Sequence, residues 1–392
     1  MKSPLLLCTI GFTLTIFSCQ PNSDTQNASE NDAQAQLQTL MVSTYTSPDD
    51  EGNEPADSIH TLNMNLETGE LTRVASISGV SNPSYFVLHP NGKYMYVVER
   101  PSDVEATGYV SSYDISGPEA VQIDSVSSQG TVPCHISIDP TGTYVLVANY
   151  METIASFEIQ EDGSLSEALS VVKHQRVLPE EVRQETGHPH MILPALDQQA
   201  VFVSDLGADS IFHYQLSDSG TFQLMAQSFS GAKSGPRHMV FHDNGEWCYV
   251  VNELDRTVSV FAVNDPLEPF ELLQKANTLA EDDERVFPAA IRLHPTGKFL
   301  YVSNRGLNGR TLNTIAVFVI DQESGELTLI EEVDTRGAIP RDFNLTPDGS
   351  YLLAENRKTN SIFVFTVDQE TGKLSETGVS MEVLAPVCIQ FL

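Results

Sequence analysis

The chain has 392 residues, of which 41% are hydrophobic and 19% charged, and its 53 acidic residues against 21 Lys and Arg give a formal charge of −32. That balance excludes a nucleic-acid partner, because phosphate backbones are held by clustered Lys and Arg. It also makes the remaining arginines conspicuous wherever they recur at strand ends.

In chain order, Met1 to Cys19 carries Lys2, an apolar run from Leu5 to Phe17 and then Ile16-Phe17-Ser18-Cys19. The run is too short to span a bilayer comfortably and reads as an export signal. It resembles a bacterial lipoprotein signal ending at a lipid-modified Cys19, with plain secretion or an uncleaved anchor as alternatives because Phe17 is bulky for its place. Residues 20–37 are rich in Asn, Gln, Ser, Asp and Ala and read as a disordered tether. The expected location is therefore the cell envelope, with the membrane reached only through the lipid. Beyond Cys8 in the signal and Cys19, the scattered Cys134, Cys248 and Cys388 lack metal-ligand spacing and are expected as buried free thiols. Neither a metal nor a cofactor is expected.

Length alone suggests two or three domains, but no linker interrupts residues 38–392, so one domain is expected there. Leu40 to Thr46 reads as the second strand of a hairpin whose first strand is missing. From Pro83 a hairpin-sized phrase then returns, fullest from Gly235-Pro236-Arg237-His238 to Asn252-Glu253-Leu254. Its turns are His89-Pro90-Asn91-Gly92, Asp139-Pro140-Thr141-Gly142, His294-Pro295-Thr296-Gly297 and Thr346-Pro347-Asp348-Gly349. In these Pro presets one dihedral and Gly accepts a positive φ; the copy at Pro189 has Ala195-Leu196-Asp197-Gln198-Gln199 instead. The marker prolines at 83, 133, 189, 236, 288, 340 and 386 are 50, 56, 47, 52, 52 and 46 residues apart, the length of a four-stranded blade. Two further strands lie between phrases, as in Ser259–Val263 and Ile315–Ile320, and no long amphipathic helix appears. Pro386 to Leu392 supplies a first strand and stops. The expectation is an all-β, seven-bladed β-propeller with four antiparallel strands per blade, its last blade closed by the N- and C-terminal strands.

A hairpin brings the residues after each marker proline and those ending its second strand to the same end. The opening positions are Cys134-His135, His190, Arg237-His238 and Arg341-Asp342. The exit positions are Glu99-Arg100, Asn149-Tyr150, Asp205, Asn252-Glu253, Asn304-Arg305 and Glu355-Asn356. A face needing only solvation does not call for His and Arg at repeated strand ends. Arg237 and Glu253 sit on one hairpin, so a structural ion pair is the alternative to a site. His188 reads as fixing its loop, and His89, His242 and His294 read as turn caps.

The ordered set Asn82-Pro83-Ser84-Tyr85, Pro133-Cys134-His135, Ala148-Asn149-Tyr150, His188-Pro189-His190, Ser204-Asp205-Leu206-Gly207-Ala208-Asp209, Gly235-Pro236-Arg237-His238, Asn252-Glu253-Leu254, Ser303-Asn304-Arg305-Gly306 and Pro340-Arg341-Asp342-Phe343 resembles the seven-bladed lactonases. These include propeller-type 6-phosphogluconolactonase and carboxy-muconate cyclase. The resemblance spans nearly the whole mature chain. It implies a small-molecule lactone as partner and His190, Arg237, Glu253 and Arg305 as catalytic residues. His135, His238, Arg341, Asn149 and Asp205 are candidates for the substrate side, with backbone bonding the first reading of Asn149 and Asp205. Lactone hydrolysis builds negative charge on the carbonyl oxygen, which Arg237 or Arg305 can stabilise, and needs a base, for which His190 and Glu253 are both candidates. The expected function is opening of a sugar-type lactone at the envelope. A muconate-type lactonising enzyme and a non-catalytic propeller binding a glycan or protein are the alternatives. Met151-Glu152-Thr153, where relatives usually have a glycine-containing link, and the loops at 51–57 and 104–108 leave specificity open.

Overall fold

The computed structural model describes residues 37–47, 57–175, 183–195, 200–307 and 311–392. The signal, Cys19, residues 20–36 of the tether and the turn at 196–199 lie outside the described residues, and residue 37, expected in the tether, begins the first strand. Residues 38–392 form one compact unit, built almost wholly of antiparallel strands. Five sheets have four strands and one has seven.

The repeated phrase is the first hairpin of a sheet at Pro83, Pro189, Pro236, Pro288 and Pro340, and lies inside the seven-stranded sheet at Pro133. Pro236–Phe241 pairs with Trp247–Asn252, followed by Thr257–Ala262 and Glu271–Asn277 in what we number blade 4. Blade 3 begins at Pro189–Pro194, blade 5 at Val286–Leu293 and blade 6 at Pro340–Leu345. The turn glycines adopt the left-handed φ that the Pro-x-Gly turn demands, 67° at Gly92 and 70° at Gly297. Blades 1 and 2 depart from the expected separation. The strand Val121–Ile138 runs for 18 residues, pairing first with Thr107–Asp114 of blade 1 and then with Tyr144–Met151 of blade 2. Gln129 and Val132, at φ 64° and 55°, turn its direction between the two roles. The chain thus leaves one blade and opens the next without ending the ladder. Blade 7 takes Pro386–Phe391 beside Leu37–Thr44, antiparallel with Val42 opposite Ile389. Pro386–Phe391 also touches the first strands of blades 1 and 6, Pro83–Leu88 and Pro340–Leu345.

There is no single core; apolar layers lie between neighbouring sheets. Strand alternation sends side chains to opposite faces. Leu300 and Val302 accordingly pack against Tyr249 and Val251 of blade 4, whereas Phe299 and Tyr301 pack against Phe343 and Leu352 of blade 6. Polar staples repeat across these layers. The hydroxyls of Tyr96, Tyr249 and Tyr301 donate to the carbonyls of Gly163, Gly325 and Gly372 at 3.1, 3.1 and 2.8 Å. His89, His242 and His294 accept the backbone N–H two residues on at Nδ1. Each therefore carries its proton on Nε2 and donates it to Gly142, Gly297 or Gly349 of the next blade at 3.1, 2.9 and 3.2 Å. The expected turn caps are also links between blades.

Candidate active site

At each internal marker proline the ladder slips. Pro236 pairs with Asn252 but His238 with Val251, so Arg237 has no partner. The same slip leaves out Ser84, Cys134, His190 and Arg341, and in blade 5 it falls between Pro288 and Ile291. A bulge inserts one residue and re-aims its side chain. These bulged residues meet: Ser84, Cys134, Arg237 and Arg341 line one cavity of about 10 Å³ together with Tyr85, His238, Asp342 and Val387.

Glu253, at the exit of the same hairpin as Arg237, is the centre of a charge cluster. Its Oε2 lies 3.0 Å from Arg237 Nε and 2.9 Å from Arg305, while Oε1 accepts from Arg183 at 2.6 Å. The Arg237 Nε contact is an ion pair without hydrogen-bond alignment; that guanidinium donates instead to Ala289 O at 2.7 Å. Arg305 is pinned by Phe287 O and Pro288 O at 3.1 and 3.2 Å. Burial alone would raise the Glu253 carboxyl, but Arg305, Arg183 and Arg237 hold it well below the usual carboxylate range. Burial, reinforced by Arg305 and Arg341, pushes Arg237 below its ordinary value. The expected Arg237–Glu253 pair exists, yet it belongs to a cluster of three guanidiniums on one carboxylate, an excess of two positive charges that a structural ion pair would not require.

Beside this cluster stand three imidazoles. His190 and His238 have ring centres 5.4 Å apart, and His238 and His135 5.7 Å. Tyr85 packs on His135 at 4.4 Å. Burial, followed by the charge of Arg237, depresses His190 and His238 well below 6.5. Burial, followed by Arg292 and Arg237, brings His135 to about 3. All three are neutral near pH 7, and Nδ1 of both His190 and His238 is buried without a partner. Glu253 acts electrostatically on His190 and Tyr150 borders it, with ring centres 5.6 Å apart.

The remaining sequence candidates separate. Arg341 borders the cavity and lies over the Tyr45 ring at 5.5 Å. Asn149 donates to Ser128 O and Thr153 Oγ1 at 2.8 and 3.0 Å. Asn252, Asn304 and Asn356 make corresponding scaffold bonds at their own exits, so Asn149 belongs to a repeated structural set. Asp205 accepts from His188 N, Ala208 N and His174 Nδ1 at 2.7, 2.9 and 2.7 Å. It orders the turn rather than facing the cavity. His188 is fixed as expected, with Nδ1 2.9 Å from Tyr150 O and its ring stacked on Tyr150 at 4.3 Å. Cys134, Cys248 and Cys388 are buried and free. Among the described residues no group of three His, Cys, Asp or Glu side chains is placed to hold a metal, and no helix is long and apolar enough to cross a membrane.

Sequence reasoning missed Arg183, which lies in the link between blades 2 and 3, outside every repeat. It also missed the Arg292–Asp342 pair at 2.7 Å, whose Asp342 lines the cavity and acts on the buried Glu355. Arg292 is mid-strand in Val286–Leu293, where repetition gave no reason to single it out.

Residues 39–391 match the family described as lactonase, 7-bladed beta-propeller. The chain belongs to that family. It is 32% identical to a 6-phosphogluconolactonase of Bacillus subtilis over 355 residues, covering 90% of this chain and 97% of that protein. It is also 32% identical to a 6-phosphogluconolactonase of Formosa agariphila, over 78% of this chain and 86% of the other. The structure of a periplasmic gluconolactonase of Pseudomonas aeruginosa superposes with a TM-score of 0.79 at 29% identity, covering 91% of this lactonase-family chain and 99% of that one. Membership makes the Arg–Glu–His cluster a candidate lactonase centre. The chemistry available there is stabilisation of an oxyanion by buried guanidiniums next to a neutral imidazole.

Proposed function

We propose that this protein hydrolyses a sugar-type lactone in the cleft formed by His190, Arg237, Glu253 and Arg305. The single observation that carries this reading is the cluster itself: Glu253 anchors Arg237 and Arg305 through one oxygen, with His190 neutral beside them. Water attacks the lactone carbonyl, and the buried guanidiniums stabilise the charge developing on its oxygen, where low dielectric strengthens them. His190 is the proton acceptor in this reading, since its Nδ1 has no partner whereas both oxygens of Glu253 are held by guanidiniums. The proton taken from water passes to the ring oxygen as the ester C–O bond breaks, giving a hydroxy acid. Likeness to enzymes named for 6-phosphogluconolactone and gluconolactone supports a sugar lactone over other cyclic esters. His135, His238 and Arg341 are proposed to line the substrate side.

Arg237→Lys keeps the charge but loses the planar fork, and Glu253→Gln loses the anchor. Purified residues 20–392 should open members of a lactone panel, and each variant should be slower by at least about tenfold, the low end for a polar catalytic contact, with circular dichroism unchanged. Full activity in both folded variants would remove the assignment, and a wild type inactive on every lactone would favour a binding role. We also propose that the protein lies outside the cytoplasm, lipid-attached through Cys19, and that its ring is closed by the terminal strands. The apolar run before Cys19 supports the location and the anchor, and the pairing of Pro386–Phe391 with Leu37–Thr44 supports the closure. Unchanged membrane association of Cys19→Ser would exclude the anchor.

A further inference from the structure

Arg183 differs from the other two arginines on Glu253 in three ways. Its side chain is 39% exposed, against 2% for Arg237 and 9% for Arg305. It bonds the opposite carboxylate oxygen, Oε1, on which it is the only guanidinium partner given by the ion pairs of the described residues. It also comes from a link rather than a bulge or strand end. That link is held firmly just after Arg183. Gln184 donates to Leu206 O and Asp209 Oδ1 at 2.7 and 2.6 Å, and a Cβ on Gly207 would meet Thr186 O at 1.8 Å, so only glycine allows the approach. Arg183 itself lies 5.7 Å from the Phe287 ring and acts on Tyr150. The base of the arm is fixed, and the side chain is part-exposed while its guanidinium reaches Glu253.

We propose that Arg183 is a specificity-determining residue: a displaceable guanidinium that covers Glu253 Oε1 until an anionic group of the lactone, carboxylate or phosphate, takes its donors. Arg237 and Arg305 are already fastened to main-chain carbonyls and to Oε2, so Arg183 is the arm with freedom to exchange partners. Its planar fork matches either anion. The exchange also frees Oε1 as an acceptor inside the cleft. Substrates without an anionic group must break the Arg183–Glu253 contact with no replacement.

This inference rests on the lactonase reading, and its test has an arm independent of turnover. Wild type, Arg183→Gln and Arg183→Lys are assayed on a 6-phosphorylated aldonolactone, on a lactone bearing a free carboxylate, and on a neutral counterpart. The ratio of kcat/KM for anionic over neutral lactone should fall by about tenfold or more in Arg183→Gln, as expected for a lost charge-assisted hydrogen bond, chiefly through KM. Arg183→Lys should recover part of it. A fall on only one anionic lactone identifies which anion the arm reads; an equal fall on all three lactones makes Arg183 structural and overturns the proposal. Binding of inorganic phosphate and of acetate, followed by calorimetry, should weaken about tenfold in Arg183→Gln for at least one of the two anions by the same reasoning, and unchanged binding of both overturns the proposal. If wild type opens no lactone, the hydrolase reading fails while the anion-binding arm still decides the role of Arg183. Should Arg183→Gln not fold, Arg183→Lys, which keeps the charge and loses the fork, carries both comparisons.

Discussion

Glu253 and Glu355 are both buried exit residues, yet Glu253 meets three guanidiniums whereas neither carboxylate oxygen of Glu355 has a hydrogen-bond partner. Burial, followed by repulsion from Asp342, pushes the Glu355 carboxyl well above the usual range, against the pull of Arg292 and Arg341. The folded protein therefore keeps a proton there that the unfolded chain releases above its ordinary carboxyl pKa. Stability from this residue is greatest below that unfolded pKa and is lost as pH rises toward the folded value, because the folded state binds more protons. Glu355→Gln removes the titration without changing shape. It should stabilise the protein at pH 8, and by less at pH 5, because the wild-type penalty grows as pH rises above the unfolded carboxyl pKa. Urea melts of both proteins at the two pH values check this; parallel pH dependences would mean that Glu355 is ionised in the folded state.

The element that makes the site is the bulge at the start of each blade, and it is legible because proline, turn and strand recur at fixed offsets. Residues after the marker prolines include Cys134, His190, Arg237 and Arg341, the side chains the register slip releases. The exit of the same hairpin returns Glu253 to Arg237 because antiparallel pairing sets Pro236 opposite Asn252. Links obey no such period. Arg183 sits in an acidic stretch, Glu180-Glu181-Val182-Arg183-Gln184-Glu185, whose composition suggests only a solvated loop. What fixes it is tertiary: Asp209 holds Gln184 through Oδ1 and also receives the N–H groups of Lys233 and Gly235 at 2.7 and 2.9 Å. One aspartate thus ties the link carrying Arg183 to the segment leading into Arg237. Asp205, placed on the substrate side by its exit position, is consumed by the same fastening. Repetition cannot distinguish an exit that faces the cavity from one that secures a turn, since both are polar residues at the same offset. The continuous strand Val121–Ile138 was hidden for a related reason, since four-strand periodicity does not say whether the chain bends or breaks between blades.

At the scale of the molecule, the apolar layers between blades make every sheet depend on two neighbours. Blade 7 is the telling case because its strands come from opposite ends of the chain. Ile389 packs with Leu40 and Val42 against Leu353 and Val364 of blade 6, while Cys388 belongs to the layer containing Phe86 and Met95 of blade 1. Deleting residues 386–392 removes the fully buried Cys388 and Ile389 and the nearly buried Val387. It also opens the ladder along Leu37–Thr44. At roughly 1.5–3 kcal/mol for each buried apolar side chain, the direct loss is about 5–9 kcal/mol. That is comparable to the whole stability of a typical domain, about 5–15 kcal/mol. Exposure of the facing layers on blades 1 and 6 adds to it. The truncated protein should therefore lose cooperative unfolding, or melt far below the full chain, and should aggregate through the unpaired edge. Calorimetry of the two proteins at equal concentration decides the matter: a truncated form melting cooperatively at the full-length temperature would mean that the terminal strand decorates the ring rather than completing it.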